Sequence, residues 1–238
     1  MNRFLLWIAS ALFFASCGEV YVNGEGNTTT KEFSVGNYSA IDISAPIQVE
    51  ILVQEGAPSV SISGYENLLK HIIVTTKDNE LHIEVEDGVS VHSDQPLTAV
   101  IQLPQLKTID LSGAVTAAIK GEVKGDKMEC DMSGSTALHI ASIQVKTLQA
   151  DLSGKGTLTV ESGIAETVSY DISGSGKVHG YGLQASRVLI DVSGAGTVET
   201  TALKNLDVSI SGSGSISYKG NPAIKKDISG AGTLQAMD

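Results

Sequence analysis

A four-residue motif, Asp-apolar-Ser-Gly, recurs through the second half of the chain at nearly fixed spacing, and no other feature restricts the fold as strongly. Copies begin at Asp110, Asp131, Asp151, Asp171, Asp191 and Asp227, and between the last two Ser209 stands in for the acid. Successive starts lie 21, 20, 20, 20, 18 and 18 residues apart. Five copies carry a second glycine two residues after the first, at Gly156, Gly176, Gly196, Gly214 and Gly232.

Inside each copy apolar residues keep fixed offsets. Three positions ahead of the motif stand Met128, Leu148, Val168, Val188, Leu206 and Ile224; beyond the glycines stand Leu138, Leu158, Val178, Val198, Ile216 and Leu234. Between them polar and apolar residues alternate, as in Leu148-Gln149-Ala150-Asp151-Leu152. A period of two marks a strand with one buried face. Gly-x-Gly interrupts the strand, because glycine takes φ > 0 without steric cost. A unit of about 20 residues with short strands cannot bury its own apolar face, whereas stacked copies turn each inward position into a continuous buried ladder. The expectation is therefore an all-β chain: a single-stranded parallel β-helix with coils of about 20 residues. A left-handed hexapeptide helix would want multiples of six, which the spacings of 20 do not supply, so a right-handed helix is favoured.

Residues 31–105 lack the motif but stay strand-like, as in Ile47-Gln48-Val49-Glu50-Ile51 and Leu81-His82-Ile83-Glu84-Val85. They are expected to form the first coils or a cap of the same solenoid, with a helical turn near Glu66–His71 and a degenerate repeat at Val60–Gly64. The regular repeats then fill 106–238, and 31–238 is one domain. Residues 17–30, with Gly24, Gly26 and three threonines, read as a flexible tether.

The first residues speak to compartment. Arg3 precedes an apolar run from Phe4 to Ala15, too short for a bilayer span of about 20 residues. A basic start, a short apolar core and small residues before a cut describe a signal peptide, here 1–16. Phe14-Ala15-Ser16-Cys17 resembles the lipobox of bacterial lipoproteins and implies acylation of Cys17. Losing residues 1–16 removes Arg3 and no acid, so 15 Lys and Arg face 27 Asp and Glu, a net charge of −12. That excess argues against nucleic acid and against a basic patch for anionic lipid. Cys130 has no partner for a disulfide if Cys17 is acylated, and no zinc spacing is present.

The Asp-apolar-Ser-Gly-x-Gly copies, with the upstream Ile41-Asp42-Ile43 and Val49-Glu50-Ile51 strands, resemble the family described as putative auto-transporter adhesin, head GIN domain, over roughly residues 37–220. The resemblance implies a β-helical envelope protein, often an outer-membrane lipoprotein of Gram-negative bacteria, and its name implies adhesion. It supplies no catalytic or binding residues to carry over.

Candidate chemistry falls on three outward columns. Asp110, Asp131, Asp151, Asp171, Asp191 and Asp227 would stack about 4.8 Å apart, where adjacent charges repel. Either each carboxylate accepts N–H bonds from its own Ser-Gly-x-Gly turn, or a line of calcium ions compensates them, although the motif supplies one carboxylate where calcium wants six or more oxygens. The serine column cannot be a row of nucleophiles, since each would need its own base. His139, Thr159, His179 and Glu199 share a surface column, with His179 and Glu199 as neighbours; His139 and His179 are two coils apart, too far for one metal. Tyr170 and Cys130 fall inward. No catalytic residue and no resident cofactor is expected. The function expected is a structural or interaction protein, not an enzyme, that holds glycans or envelope proteins and is able to oligomerise. The alternative is a carbohydrate-active enzyme, a polysaccharide lyase or hydrolase, which needs acids clustered in a groove. The periplasmic side of the outer membrane is favoured over the cell surface, because no strong acidic run follows Cys17.

Overall fold

The computed structural model describes residues 20–237. Residues 1–16, expected to be a signal peptide, and Cys17 lie outside the described residues. Within them the chain is a β-solenoid of about six turns. One 17-stranded sheet winds through every coil, and a separate two-stranded ribbon joins Val20–Asn23 to Val89–His92.

The repeats stack in strict register. Asp110 pairs with Asp131, Asp131 with Asp151, Asp151 with Asp171 and Asp171 with Asp191, all in parallel. Ser209 and Asp227 continue the same column. The 18-residue spacings shorten only one side of the coil: register shifts lie between Gly180 and Gln184 and between Ala185 and Arg187, while the aspartate side and the strand after the glycines keep their pairing. Inward positions are buried as the alternation demands. Leu148, Ala150, Leu152, Leu158 and Val160 are each at most 2% exposed, and they join one core that runs the length of the stack.

The N-terminal region is coil and cap together, in an order the chain does not announce. Ala40–Ser44 and Ile47–Val53 form a coil, and Thr108–Leu111 and Thr116–Gly134 stack on one side of it. Glu80–Val85 and Leu97–Leu103 stack on its other side, so a later segment lies further from the repeats than an earlier one. Beyond them pairing turns antiparallel: Ser59–Tyr65 against Leu97–Leu103, Thr28–Phe33 against Ser59–Tyr65, and Ile72–Lys77 against Glu80–Val85. The last pair is a two-residue hairpin on Asp78 and Asn79, whose φ values of 51° and 68° make the type I′ geometry that suits strand twist. The helical turn Glu66–Leu69 buries Leu68 and Leu69 beneath this end.

Two expectations need correction. Val60–Gly64 is not a degenerate repeat; it lies in the antiparallel strand Ser59–Tyr65, outside the aspartate column. The described part of the expected tether, 20–30, is not loose: Val20–Asn23 pairs with Val89–His92, and Thr28–Phe33 is a cap strand. Glycine and threonine content misleads there, since threonine favours strands and the partners of both strands are far away in sequence.

Among the described residues the other end is uncovered. On the last strands, Ala223–Gly230 and Thr233–Ala236, Ile224 is 43% exposed and Ile228 and Leu234 are only partly buried. The inward column that runs Cys130, Ala150, Tyr170, Ile190 and Val208 ends there on Lys226.

Candidate functional site

The aspartate column is longer than the repeats alone. Asp42 pairs with Asp110, and His82 with Asp42, so an imidazole closes the row at the capped end. His82 Nδ1 lies 3.2 Å from Asp42 Oδ2, and its Nε2 lies 3.4 Å from Glu80 Oε2. Along the row burial raises the Asp110 carboxyl above the usual carboxylate range, helped by Asp42 and Glu80. Burial, then Asp151 and Asp110, does the same for Asp131. Asp171 is raised by burial, then Asp191 and Asp151. The Gln149 amide donates to Asp151 Oδ2 at 3.1 Å.

The turn amides do not serve these carboxylates, contrary to the expectation of local capping. They donate to carbonyls one coil back: Lys155 to Gly134, Ser175 to Gly154, Ala195 to Gly174 and Ser213 to Gly194, each at 2.8 Å. The turns are thereby backbone ladders in their own right. This geometry also explains their glycines. Gly174 sits at φ +127°, and a Cβ there would lie 2.7 Å from the Gly154 carbonyl oxygen. The second glycine has a different reason: a Cβ on Gly196 would lie 2.8 Å from Ile172 Cγ2, so this position is kept clear for the apolar column beneath it.

Asp110, Asp131, Asp151 and Asp171 line one open hollow of about 510 Å³ beside Ser133, Ser153 and Ser173. A second, of about 430 Å³, follows the same side toward the open end, where Lys225 and Lys226 stand among Asp171, Asp191, Asp207 and Asp227. Among the described residues, no group of three or more His, Cys, Asp or Glu is placed to hold a metal ion.

Past the glycine turn, the next side of the coil carries two outward columns. One runs Thr116, Ala137, Thr157, Lys177, Thr197, Ser215 and Thr233; the other runs Ala118, His139, Thr159, His179, Glu199, Ser217 and Gln235. His139, Thr159, His179 and Glu199 thus stand on consecutive coils. His179 Nδ1 lies 2.8 Å from Glu199 Oε2. His139 pairs instead with Glu161, 2.9 Å from its Nε2, a partner that lies off the column and that the repeat pattern does not reveal.

Cys130 is buried, and burial pushes its thiol up, so it is packing and not a reactive group. Tyr170, also buried, has a hydroxyl without a hydrogen-bond partner. The room for that hydroxyl comes from Gly180 across the core, where an added Cβ would lie 3.0 Å from Tyr170 Oη.

The model of the family described as putative auto-transporter adhesin, head GIN domain, matches residues 37–222. The chain belongs to that family. The match spans the coil at 40–53, the cap strands from 59 onward and the repeats to the start of the last coil. Solved structures share the head GIN fold. A putative adhesin from Bacteroides fragilis superposes with a TM-score of 0.84 at 24% identity, over 91% of this chain and all of that one. A putative lipid binding protein from Parabacteroides distasonis gives 0.77 at 23% identity, over 92% of this chain and all of that one. A putative adhesin from the same organism gives 0.75 at 24%, over 91% and 100%. A comparison with curated proteins returns no match. Among the described residues no helix is long and apolar enough to cross a membrane.

Proposed function

We propose that this head GIN chain is a lipid-anchored protein of the Gram-negative outer membrane, held through Cys17 on the periplasmic side, whose solenoid presents a flat face to a glycan or envelope protein without altering it chemically. The observation that carries the reading is the pair of outward columns past the glycine turn. They set short hydroxyls, imidazoles and carboxylates in register on successive coils, about 4.8 Å apart. A polar face with a regular spacing on a pre-ordered sheet suits a partner that is itself repetitive, because successive coils place their side chains at one repeat distance with little ordering cost, while the groups themselves vary from coil to coil. Adhesive family membership supports the same role.

One observation favours the alternative, a carbohydrate-active enzyme. Four aspartates line one hollow, and Asp110, Asp131 and Asp171 hold protons more tightly than usual. Two carboxyls about 5 Å apart, one of them protonated, are the apparatus of retaining glycoside hydrolysis. The interaction reading is preferred because the same pairing recurs from coil to coil, so no one pair is distinguished as a reaction centre.

A glycan-array and envelope-polysaccharide screen of residues 18–238, with product analysis on the same samples, separates the two. Retention with unchanged polysaccharide is expected. New reducing ends or unsaturated sugars would overturn the interaction reading and turn attention to Asp131 and Asp151.

A further inference from the structure

The two most exposed large apolar side chains among the described residues are neighbours in sequence: Tyr21, 75% exposed, and Val20, 59%. Both belong to Val20–Asn23, the outer strand of the two-stranded ribbon. The ribbon is firmly mounted. Val22 and Val91 pack against the core. The Val20 amide donates to the Gly88 carbonyl and the Gly24 amide to the His92 carbonyl, each at 2.8 Å. The Asn67 side-chain amide donates to the Asn23 carbonyl at 2.7 Å, and Asn67 Oδ1 accepts from the Glu25 amide at 3.1 Å. A rigid support thus holds out an apolar tip for which the fold itself has no use.

That tip lies next to the anchor in sequence. Cys17 precedes Val20 by three residues, and an extended chain spans at most about 3.6 Å per residue, so the two Cα atoms are within roughly 11 Å. We propose that the ribbon is a membrane seat: Val20 and Tyr21 enter the boundary between headgroups and acyl chains, and the solenoid stands on its capped end against the bilayer with no tether between them. The proposal rests on acylation of Cys17. A tyrosine suits the site, since its ring is apolar and its hydroxyl prefers the wet side of the interface. The charges nearest in sequence to the ribbon, Glu19, Glu25 and the Glu86–Asp87 turn, are acidic. The seat is therefore made by apolar insertion and not by attraction to anionic lipid. It also orients the molecule, with the open end and the coils of His179 and Glu199 directed away from the membrane.

The chain's one tryptophan, Trp7, falls within 1–16, so the mature protein has none. Tyr21→Trp then places a single reporter in the seat, and Leu203→Trp, at a position 48% exposed on a distal coil, serves as its control. Each full-length variant is expressed, acylated and reconstituted in phosphatidylethanolamine–phosphatidylcholine vesicles that carry brominated acyl chains. The expected result is a blue-shifted emission from the Tyr21→Trp protein, quenched by brominated lipid severalfold more than the emission of the Leu203→Trp control. If mass spectrometry shows acylated Cys17 and the protein is vesicle-bound, yet the two reporters emit and quench alike, the seat is wrong while the anchor stands. If Cys17 carries no acyl group and the protein stays in solution, anchor and seat fall together, and the mass spectrum tells this failure from the first.

Discussion

Tyr170 and the aspartate column show how single residues bear both strain and identity in this fold. A buried hydroxyl without a partner costs about 1–3 kcal/mol, so Tyr170→Phe should raise stability by about 1 kcal/mol in urea unfolding. Gly180→Ala should lower it, because the new Cβ would meet both Tyr170 Oη and the Glu199 carbonyl oxygen at 3.0 Å. Combining Gly180→Ala with Tyr170→Phe should recover part of that loss, since one of the two clashing oxygens is gone. The aspartates give a pH signature. Asp110, Asp131 and Asp171 have folded-state affinities for protons above those of the unfolded chain. Between the two values the folded state binds more protons, so these groups add stability as the pH falls through the raised carboxylate range and remove it as the pH rises. Asp131→Asn should flatten that dependence and, at neutral pH, gain about 0.2–1 kcal/mol, the size of a relieved like-charge cross-strand pair. Melting temperatures from neutral to mildly acidic pH check both; a fold that weakens steadily on mild acidification would contradict the assignment.

At the scale of elements, the turn between coils is the part that tolerates least. Gly174→Ala adds strain at φ +127° and a contact of 2.7 Å with a neighbouring backbone oxygen; strain of this kind costs about 1–3 kcal/mol. Ser173→Ala beside it should be nearly neutral, since the turn is held by backbone bonds from coil to coil. Equal losses in the two variants, read by thermal unfolding, would argue against the ladder. Elements also show what the sequence makes legible. The regular coils are readable because a period of two and a glycine at constant offset are local signals, and register then follows from copying. The cap is not, because its antiparallel partners are chosen by long-range fit: nothing in Ser59–Tyr65 names Thr28–Phe33. Asp42 lies between these cases. Ile41-Asp42-Ile43-Ser44 matches Ile109-Asp110-Leu111-Ser112 residue type for residue type, so the first copy of the column is visible apart from its missing glycine. His82, which closes the column, is not visible, because its coil reaches the stack out of chain order.

Among the described residues the stack has one capped end and one uncovered end, and Lys226 stands at the uncovered one. An uncovered last coil offers unpaired backbone groups and apolar surface to another copy, and natural sheets guard such edges with inward-pointing charge. Lys226 takes an inward position beneath Val208 and Ile190. Lys226→Ile should therefore shift sedimentation velocity toward end-to-end assemblies larger than those of the unmodified protein; an unchanged distribution would show that the edge is guarded otherwise. Counting offsets alone places the column His139, Thr159, His179 and Glu199 on one side of the molecule, but its charge partners, such as Glu161 for His139, need three dimensions. The proposed partner docks on the side that bears this column. The most direct test repeats the polysaccharide screen with Thr159→Arg and Thr197→Arg beside Ser186→Arg, a substitution on a different side of the coil. Binding lost in the first two and kept in the third is the predicted result. Binding kept in the first two and lost in the third would contradict the assignment of that face.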